Sequence, residues 1–333
     1  MAFHFHLILS LSLLTLVVFP SKTQSRLTQN YYQKTCPDFE KIVQQVVTDK
    51  QLASPTTAAA ALRLFFHDCM VEGCDASVLI ASNAFNKAER DSDINLSLPG
   101  DGFEVVTRIK TALELQCPGI VSCADILAAA TRNLISMVGG PYYPVRFGRK
   151  DGFVSKAEAV DGNLARSNMS LSQIINLFAA RKLNIKEMVA LTGAHTIGFS
   201  HCKEFSNRIF NFSKTSDDYD PSYNPKYAEG LRRLCANYTK DPQMSAYNDV
   251  ITPGKFDNMY FKNLQKGLGL LASDQAMAVD GRTRPLIDLY AANQTIWFQD
   301  FVHAIQKVSV HNVKTGRKGE VRRRCDAFNN LKT

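Results

Sequence analysis

The run Arg63-Leu64-Phe65-Phe66-His67-Asp68-Cys69 sets a guanidinium and an imidazole four residues apart. On a helix that spacing puts both on one face. An imidazole can accept a proton and return it, and a permanent cation can stabilise an oxyanion as it forms. The pair can move one proton and stabilise one departing oxyanion in the same step. Far downstream, Leu191-Thr192-Gly193-Ala194-His195-Thr196 predicts the end of a helix, with a lone histidine against a glycine break. One histidine below a metal and an acid/base group above it is the requirement of an iron porphyrin. Taken singly, either histidine is more often a satisfied core or surface residue than a ligand. Their neighbours carry the reading.

Asp68, Asp75 and Ser77 lie between His67 and Leu79, with Gly73 permitting a tight turn and Cys69 and Cys74 near enough to close it. Hard oxygen donors so closely packed suit calcium, although acidic turns are commonly just solvated.

Helical patterns dominate the elements that must position these groups. Ser54-Pro55 reads as an N-cap and first-turn proline before an Ala-rich helix through His67. Ser122 with Asp125 resembles a capping box opening a helix over Ile126 to Ile135, and Asn184 with Glu187 plays a similar part before Met188, Val189 and Leu191. Phe298, Phe301, Val302, Ile305 and Val308 recur at helical spacing. Strand signals are few and short, as around Tyr142 to Phe147. The expectation is a mostly α-helical protein without internal repeat or linker.

An apolar run from Leu7 to Phe19, broken at Pro20, reads as an export signal ending near Ser25 and is too short to span a bilayer. The expected organisation is a leader over 1–25 and a single domain over 26–333. All eight cysteines follow the leader, and an even number in an exported chain implies four disulfides. Zinc is improbable because no C-x2-C pair exists. Loss of Lys22 with the leader lowers the formal charge from +8 to +7. The charge is spread along the chain apart from Arg322-Arg323-Arg324, read as a solvated basic face, so nucleic acid is not expected as a partner. Sequons occur at Asn95, Asn168, Asn211, Asn237 and Asn293.

With R-x-x-F-H-D-C around His67 and L-x-G-x-H-T around His195, the chain resembles the plant secretory (class III) haem peroxidases. The resemblance runs from Tyr32-x-x-x-Cys36-Pro37 to Cys325, through Gly73-Cys74-Asp75-Ala76-Ser77, Val121-Ser122-Cys123-Ala124-Asp125, Gly148-Arg149-Lys150-Asp151 and Phe256-Asp257-Asn258. Any one of these is weak; their joint order and spacing make coincidence implausible. It implies an all-α fold of two lobes sandwiching one haem b, with two calcium ions per chain. It makes His67 the general base and then acid, Arg63 the oxyanion donor, and Phe66 a wall against water. Asn95, counted from Glu89, would accept the Nδ1–H of His67 and so could hardly carry a glycan. His195 becomes the axial ligand, with Asp274 of Ser273-Asp274-Gln275 behind it. The first calcium would take Asp68, Val71, Gly73, Asp75 and Ser77, the second Thr196, Asp249, Thr252, Asp257 and the Lys255 carbonyl. The implied disulfides are Cys36–Cys117, Cys69–Cys74, Cys123–Cys325 and Cys202–Cys235.

Ala165 stands where the family often has proline at the donor site, Asp101 where an arginine before Gly-Phe is common, and Asn248 where an aromatic precedes the aspartate. These departures bear on the aromatic donors rather than on peroxide chemistry. The implied activity is that of a secreted monomer, outside the membrane in the apoplast or cell wall. It would reduce hydrogen peroxide and oxidise phenolic donors one electron at a time. The family's roles include lignin and suberin formation, wall cross-linking, auxin oxidation, peroxide removal and response to oxidative stress. The basic charge suits an acidic wall polysaccharide, and a C-terminus eight residues past Cys325 with no apolar extension favours the extracellular route. The competing reading is a non-catalytic glycoprotein that binds haem or the wall; an intact set of Arg63, His67, Asn95, His195 and Asp274 argues against it.

Overall fold

Segments with apolar residues three and four apart become helices in the computed structural model, which describes residues 27–330. The predicted leader lies outside the described residues. Helices α1 (Phe39–Ala53), α2 (Thr57–Val71), α3 (Gly100–Gln116) and α4 (Cys123–Met137) come first. Then follow α5 (Leu171–Ala180), α6 (Ile185–Thr192), α7 (Ser206–Ile209), α8 (Pro225–Leu234), α9 (Met259–Gln265), α10 (Ala272–Val279), α11 (Arg284–Ala292) and α12 (Gln294–Ser309). Two three-residue strands, β1 (Phe199–His201) and β2 (Ser245–Tyr247), pair antiparallel with Phe199 opposite Tyr247.

Helix α2 is apolar enough to be buried nearly all round, and it packs against α3, α4 and α12. Helix α12 lies along α6, with Phe301, Ile305 and Val308 buried as the spacing predicted. One large core joins these helices, and a smaller cluster gathers around Cys202, Phe205, Ile209, Leu231 and Cys235. All four disulfides form with the implied pairing. Cys123–Cys325 closes the longest loop, which restricts the unfolded chain most.

Four local expectations change. Ser54 ends α1 and Pro55 sits in a turn, so α2 begins at Thr57, whose hydroxyl donates to the Ser54 carbonyl at 2.7 Å. Ser122 does cap α4 by accepting from the Asp125 N–H, but that helix starts at Cys123, and the Asp125 carboxylate binds Tyr32, Gly148 and Arg149 instead of reaching back. Residues 142–147 form no strand, because only Phe147 finds a bridging partner, Thr28. The Asn184–Glu187 box is complete. Of the basic triplet, Arg323 and Arg324 are exposed, whereas Arg322 is buried and donates to the Ala76 and Gly152 carbonyls at 2.7 Å each.

Candidate active site

Helix α2 carries Arg63, Phe66 and His67, and a short loop over residues 92–98 supplies partners to two of them. His67 Nδ1 lies 2.6 Å from Asn95 Oδ1, and Asn95 Nδ2 donates to the Glu89 carbonyl at 2.8 Å. That second bond fixes which way the amide faces, so Nδ1 of His67 carries the proton and Nε2 stays unprotonated. Burial, then the charge of Arg63, pushes His67 down to about 3, against the opposing effect of the hydrogen bond that Asn95 Oδ1 accepts. The imidazole is therefore a neutral base across ordinary pH. Arg63 donates through Nη1 to the Ser97 carbonyl at 2.6 Å and through Nη2 to the Ser97 hydroxyl at 2.9 Å. Burial lowers its pKa to about 10, and it remains a cation. Phe66 packs on Phe178 of α5, their ring centroids 6.0 Å apart.

His195 lies in a single 3-10 turn, Gly193–Thr196, continuous with the end of α6. Gly193 has an ordinary helical φ, so no conformational break requires it. A Cβ there would come within 2.6 Å of both Phe261 and Trp297, and close packing excludes a side chain. His195 Nδ1 is 2.9 Å from Asp274 Oδ2, on α10. Burial works against the imidazolium, but the charge and hydrogen bond of Asp274 outweigh it and raise the pKa of His195.

The two sides meet. A Cβ on Gly198 would lie 3.2 Å from Ala59 of α2, and the charge of Arg63 is felt at His195. The His195 side chain is 41% exposed although protein surrounds it. Among the described residues, neither His195 Nε2 nor His67 Nε2 has a protein hydrogen-bond partner. Two imidazoles anchored through Nδ1, with Nε2 open and a cation beside them, fit a haem held from one side.

The first oxygen-rich loop is a nest of buried acids. Asp68 Oδ2 accepts from the Ala76 N–H at 2.9 Å and Asp75 Oδ1 from the Ser77 N–H at 3.1 Å. Asp68, Asp75, Ser77 and Glu89 are all buried, and the Ser77 hydroxyl and both Glu89 carboxylate oxygens lack partners. Burial and mutual repulsion push Asp68 up to about 8 and Glu89 up to about 9, while burial raises Asp75. Lys314, 3.7 Å from Asp75, compensates only in part. Even with Arg322 nearby the carboxylates outweigh the positive charge around them, and a hard cation would supply the remainder. Gly73, at φ +104°, makes the turn after Val71, where α2 ends.

In the second set, Thr196 Oγ1 donates to Asp249 Oδ2 at 3.2 Å and lies 3.4 Å from the Lys255 carbonyl. Thr252 Oγ1 is 3.1 Å from both Asp249 Oδ2 and Asp257 Oδ1. All five expected groups converge. Among the described residues no three His, Cys, Asp or Glu side chains meet as a metal cluster; hydroxyl and carbonyl oxygens make up much of both sets.

Ser97 and Asn263 were missed by sequence reasoning. The Asn263 amide donates to Asp249 Oδ1 at 2.7 Å. Ser97 closes the Asn95 sequon, a position that looked like a glycosylation signal rather than a partner for Arg63. Asp101, one of the departures, pairs with Lys50 of α1 at 2.6 Å and so belongs to helix packing. Asn248 binds Ser200 across the β1–β2 pair at 2.7 Å. Ala165 is half-buried in a loop pinned by the 2.8 Å Arg166–Asp93 ion pair. Asn95 is buried, whereas Asn168, Asn211, Asn237 and Asn293 are exposed.

A helical, disulfide-braced frame holding two imidazoles, each anchored through Nδ1, is the architecture of a haem-dependent peroxidase. A sequence model of the family described as peroxidase matches residues 43–293. Peroxidase 6 of Arabidopsis thaliana is 62% identical over 322 residues, covering 97% of this chain and 98% of its own length. Peroxidase 65 of the same plant is 61% identical over 305 residues, 92% and 90% of the two chains. Peroxidase 31 is 55% identical over 318 residues, 96% and 98%. The chain belongs to the plant secretory (class III) haem peroxidases. It is a peroxidase, acting on hydrogen peroxide and a reducing donor.

Proposed function

We propose that residues 26–333 form one exported, monomeric enzyme with one haem b and two calcium ions, and that phenols are its donors. His195 Nε2 would hold the haem, which when bound would supply the redox chemistry, taking up the second peroxide oxygen and two oxidising equivalents. His67 Nε2 removes the proton from the nearer oxygen of hydrogen peroxide and returns it to the outer oxygen, so that water leaves. Arg63 directs its remaining N–H groups at that outer oxygen as negative charge develops there. Asn95, buttressed by the backbone at Glu89, holds His67 in the tautomer the task needs. Asp274 accepts the Nδ1–H of His195 and makes its ring a stronger electron donor. Phe66 keeps bulk water from the pocket, and Ala165 lies where a phenol would dock.

Calcium at Asp68, Val71, Gly73, Asp75 and Ser77 would brace the end of α2 one residue beyond His67. Calcium at Thr196, Asp249, Thr252, Lys255 and Asp257 would brace the turn one residue beyond His195. Export is supported by the cysteines, all paired, and by the lack of any helix among the described residues long and apolar enough to cross a membrane. Asn168, Asn211, Asn237 and Asn293 are open to a glycan, and the formal charge of +8, which becomes +7 once Lys22 leaves with the leader, suits an acidic wall polysaccharide.

One observation carries the reading: both imidazoles are tied through Nδ1 while both Nε2 atoms are left open. The test is to refold the chain with haem and calcium, record the Soret band, then add hydrogen peroxide and guaiacol. A Soret band that responds to peroxide and is restored by guaiacol is expected. An absent or unresponsive band would overturn the reading.

A further inference from the structure

A line of aromatic rings leads away from His195. Its ring meets Tyr260 edge-on with centroids 6.1 Å apart, Tyr260 meets Phe261 at 5.2 Å, and Phe261 meets Tyr290 at 5.2 Å. Trp297 branches from Phe261, also at 5.2 Å. Rings in successive contact give an electron short steps to travel.

Where an oxidising equivalent settles depends on protons, because an oxidised phenol is strongly acidic and stays oxidised only if its proton has somewhere to go. Tyr290 meets that condition. Its hydroxyl donates to Asp300 Oδ2 at 2.9 Å, and Asp300 Oδ1 is anchored by Lys186 at 2.8 Å. Burial and that bond hold the resting Tyr290 phenol well above its ordinary pKa, so it starts out protonated. The other candidates are less well placed: the Asp274 carboxylate near the Tyr260 hydroxyl is already engaged by His195 Nδ1 at 2.9 Å. Trp297 donates its indole N–H to the Ala190 carbonyl, a poor base, and the buried Tyr260 hydroxyl has no partner in bonding geometry. Tyr32 also donates to a carboxylate, Asp125, at 2.7 Å, but its ring neighbours are Tyr31, Phe39 and Phe147, which lead to neither histidine.

We propose that Tyr290 is a second oxidation site of the enzyme, reached from the haem through Tyr260 and Phe261 and made possible by Asp300. One of the two oxidising equivalents delivered by hydrogen peroxide is met by an electron from Tyr290. The phenolic O–H bond breaks, the proton passes to the Asp300 carboxylate, and a neutral tyrosyl radical remains. The Asp300 side chain is 18% exposed, so an external reductant at this face can return the electron and Asp300 the proton. The site lies beyond α9 from His195 and is distinct from the loop of Ala165.

The inference rests on haem binding at His195, and its test separates the two. Haem-loaded, calcium-replete enzyme is mixed with hydrogen peroxide without donor, freeze-quenched and examined by electron paramagnetic resonance. A parallel sample is spin-trapped and its peptides are mapped by mass spectrometry. The expected result is a tyrosyl signal with the adduct on Tyr290. Both are lost in Tyr290→Phe and reduced in Asp300→Asn, which keeps the phenol and removes the base. Should Tyr290→Phe fail to fold, the adduct map of the unaltered enzyme still decides. An adduct on Trp297 or Tyr260 instead, or no protein radical while the Soret band responds to peroxide, overturns this proposal alone. A Soret band indifferent to peroxide overturns it together with the site reading.

Discussion

His67 and His195 are the same side chain in nearly the same posture, each offering Nδ1 to a buried side-chain oxygen, 2.6 Å away for one and 2.9 Å for the other. Yet one is pushed down to about 3 and the other is raised. The difference lies in the partner's charge. Asn95 presents a neutral amide, so burial and Arg63 decide and the imidazole stays neutral; Asp274 presents a carboxylate, which draws positive charge onto the ring. An imidazole kept neutral and one drawn toward its charged form thus come from one residue type by changing a single neighbouring atom from nitrogen to oxygen.

The largest effect is expected from His67→Ala. Loss of the positioned base should slow reaction with hydrogen peroxide by ~10²–10⁴ in stopped flow, with haem binding retained. A rate near that of the unaltered enzyme would remove His67 from the chemistry.

Asn95→Asp would rebuild the proximal pattern on the distal side. A carboxylate there favours imidazolium, so the pKa of His67 rises from about 3. Because only the neutral ring can act as base, activity now disappears as pH falls through that higher value and is kept above it. The rate constant for peroxide, followed from pH 8 downward, should begin its acid decline at higher pH than in the parent. An unmoved decline would break the comparison.

The converse change, Asp274→Asn, removes the charge that raises His195. A less electron-rich ligand should raise the reduction potential of the haem iron, read by spectroelectrochemistry. An unchanged potential would deny Asp274 its influence. Calcium withdrawal tests both sides together, since it should loosen each of them. Chelation should lower the thermal midpoint, by an amount corresponding to about 2.7 kcal/mol per site lost at free calcium ~100 times Kd. Asp75→Asn should then perturb mainly the His67 side and Asp249→Asn mainly the His195 side, seen in the Soret band. A melting curve indifferent to chelator would argue against both sites.

Much of this was legible in the chain because it is local. Arg63, Phe66 and His67 share a helix face by spacing alone, and the Asn184–Glu187 box opens α6 as written. Asn95 and Asp274 lie 28 and 79 residues from the histidines they serve, and only likeness to a family singled them out. Ser97 had no such pointer. The misread pieces fail for tertiary reasons. Residues 142–147 have a strand-like composition but no neighbour to complete a ladder, and Gly193 is small for the sake of Phe261 and Trp297 rather than for its own backbone. Arg322 looks like a surface charge until the chain end folds back and buries it against Ala76 and Gly152.

What the amino-acid order determined by itself was the helical class, an even number of cysteines available to pair, and the two histidine motifs, since these can be read along the chain without its fold. What only the folded molecule decided was the character of each histidine. That character is set by one partner atom brought in from a remote segment and by how much water is excluded around it, and neither quantity exists until the helices have packed.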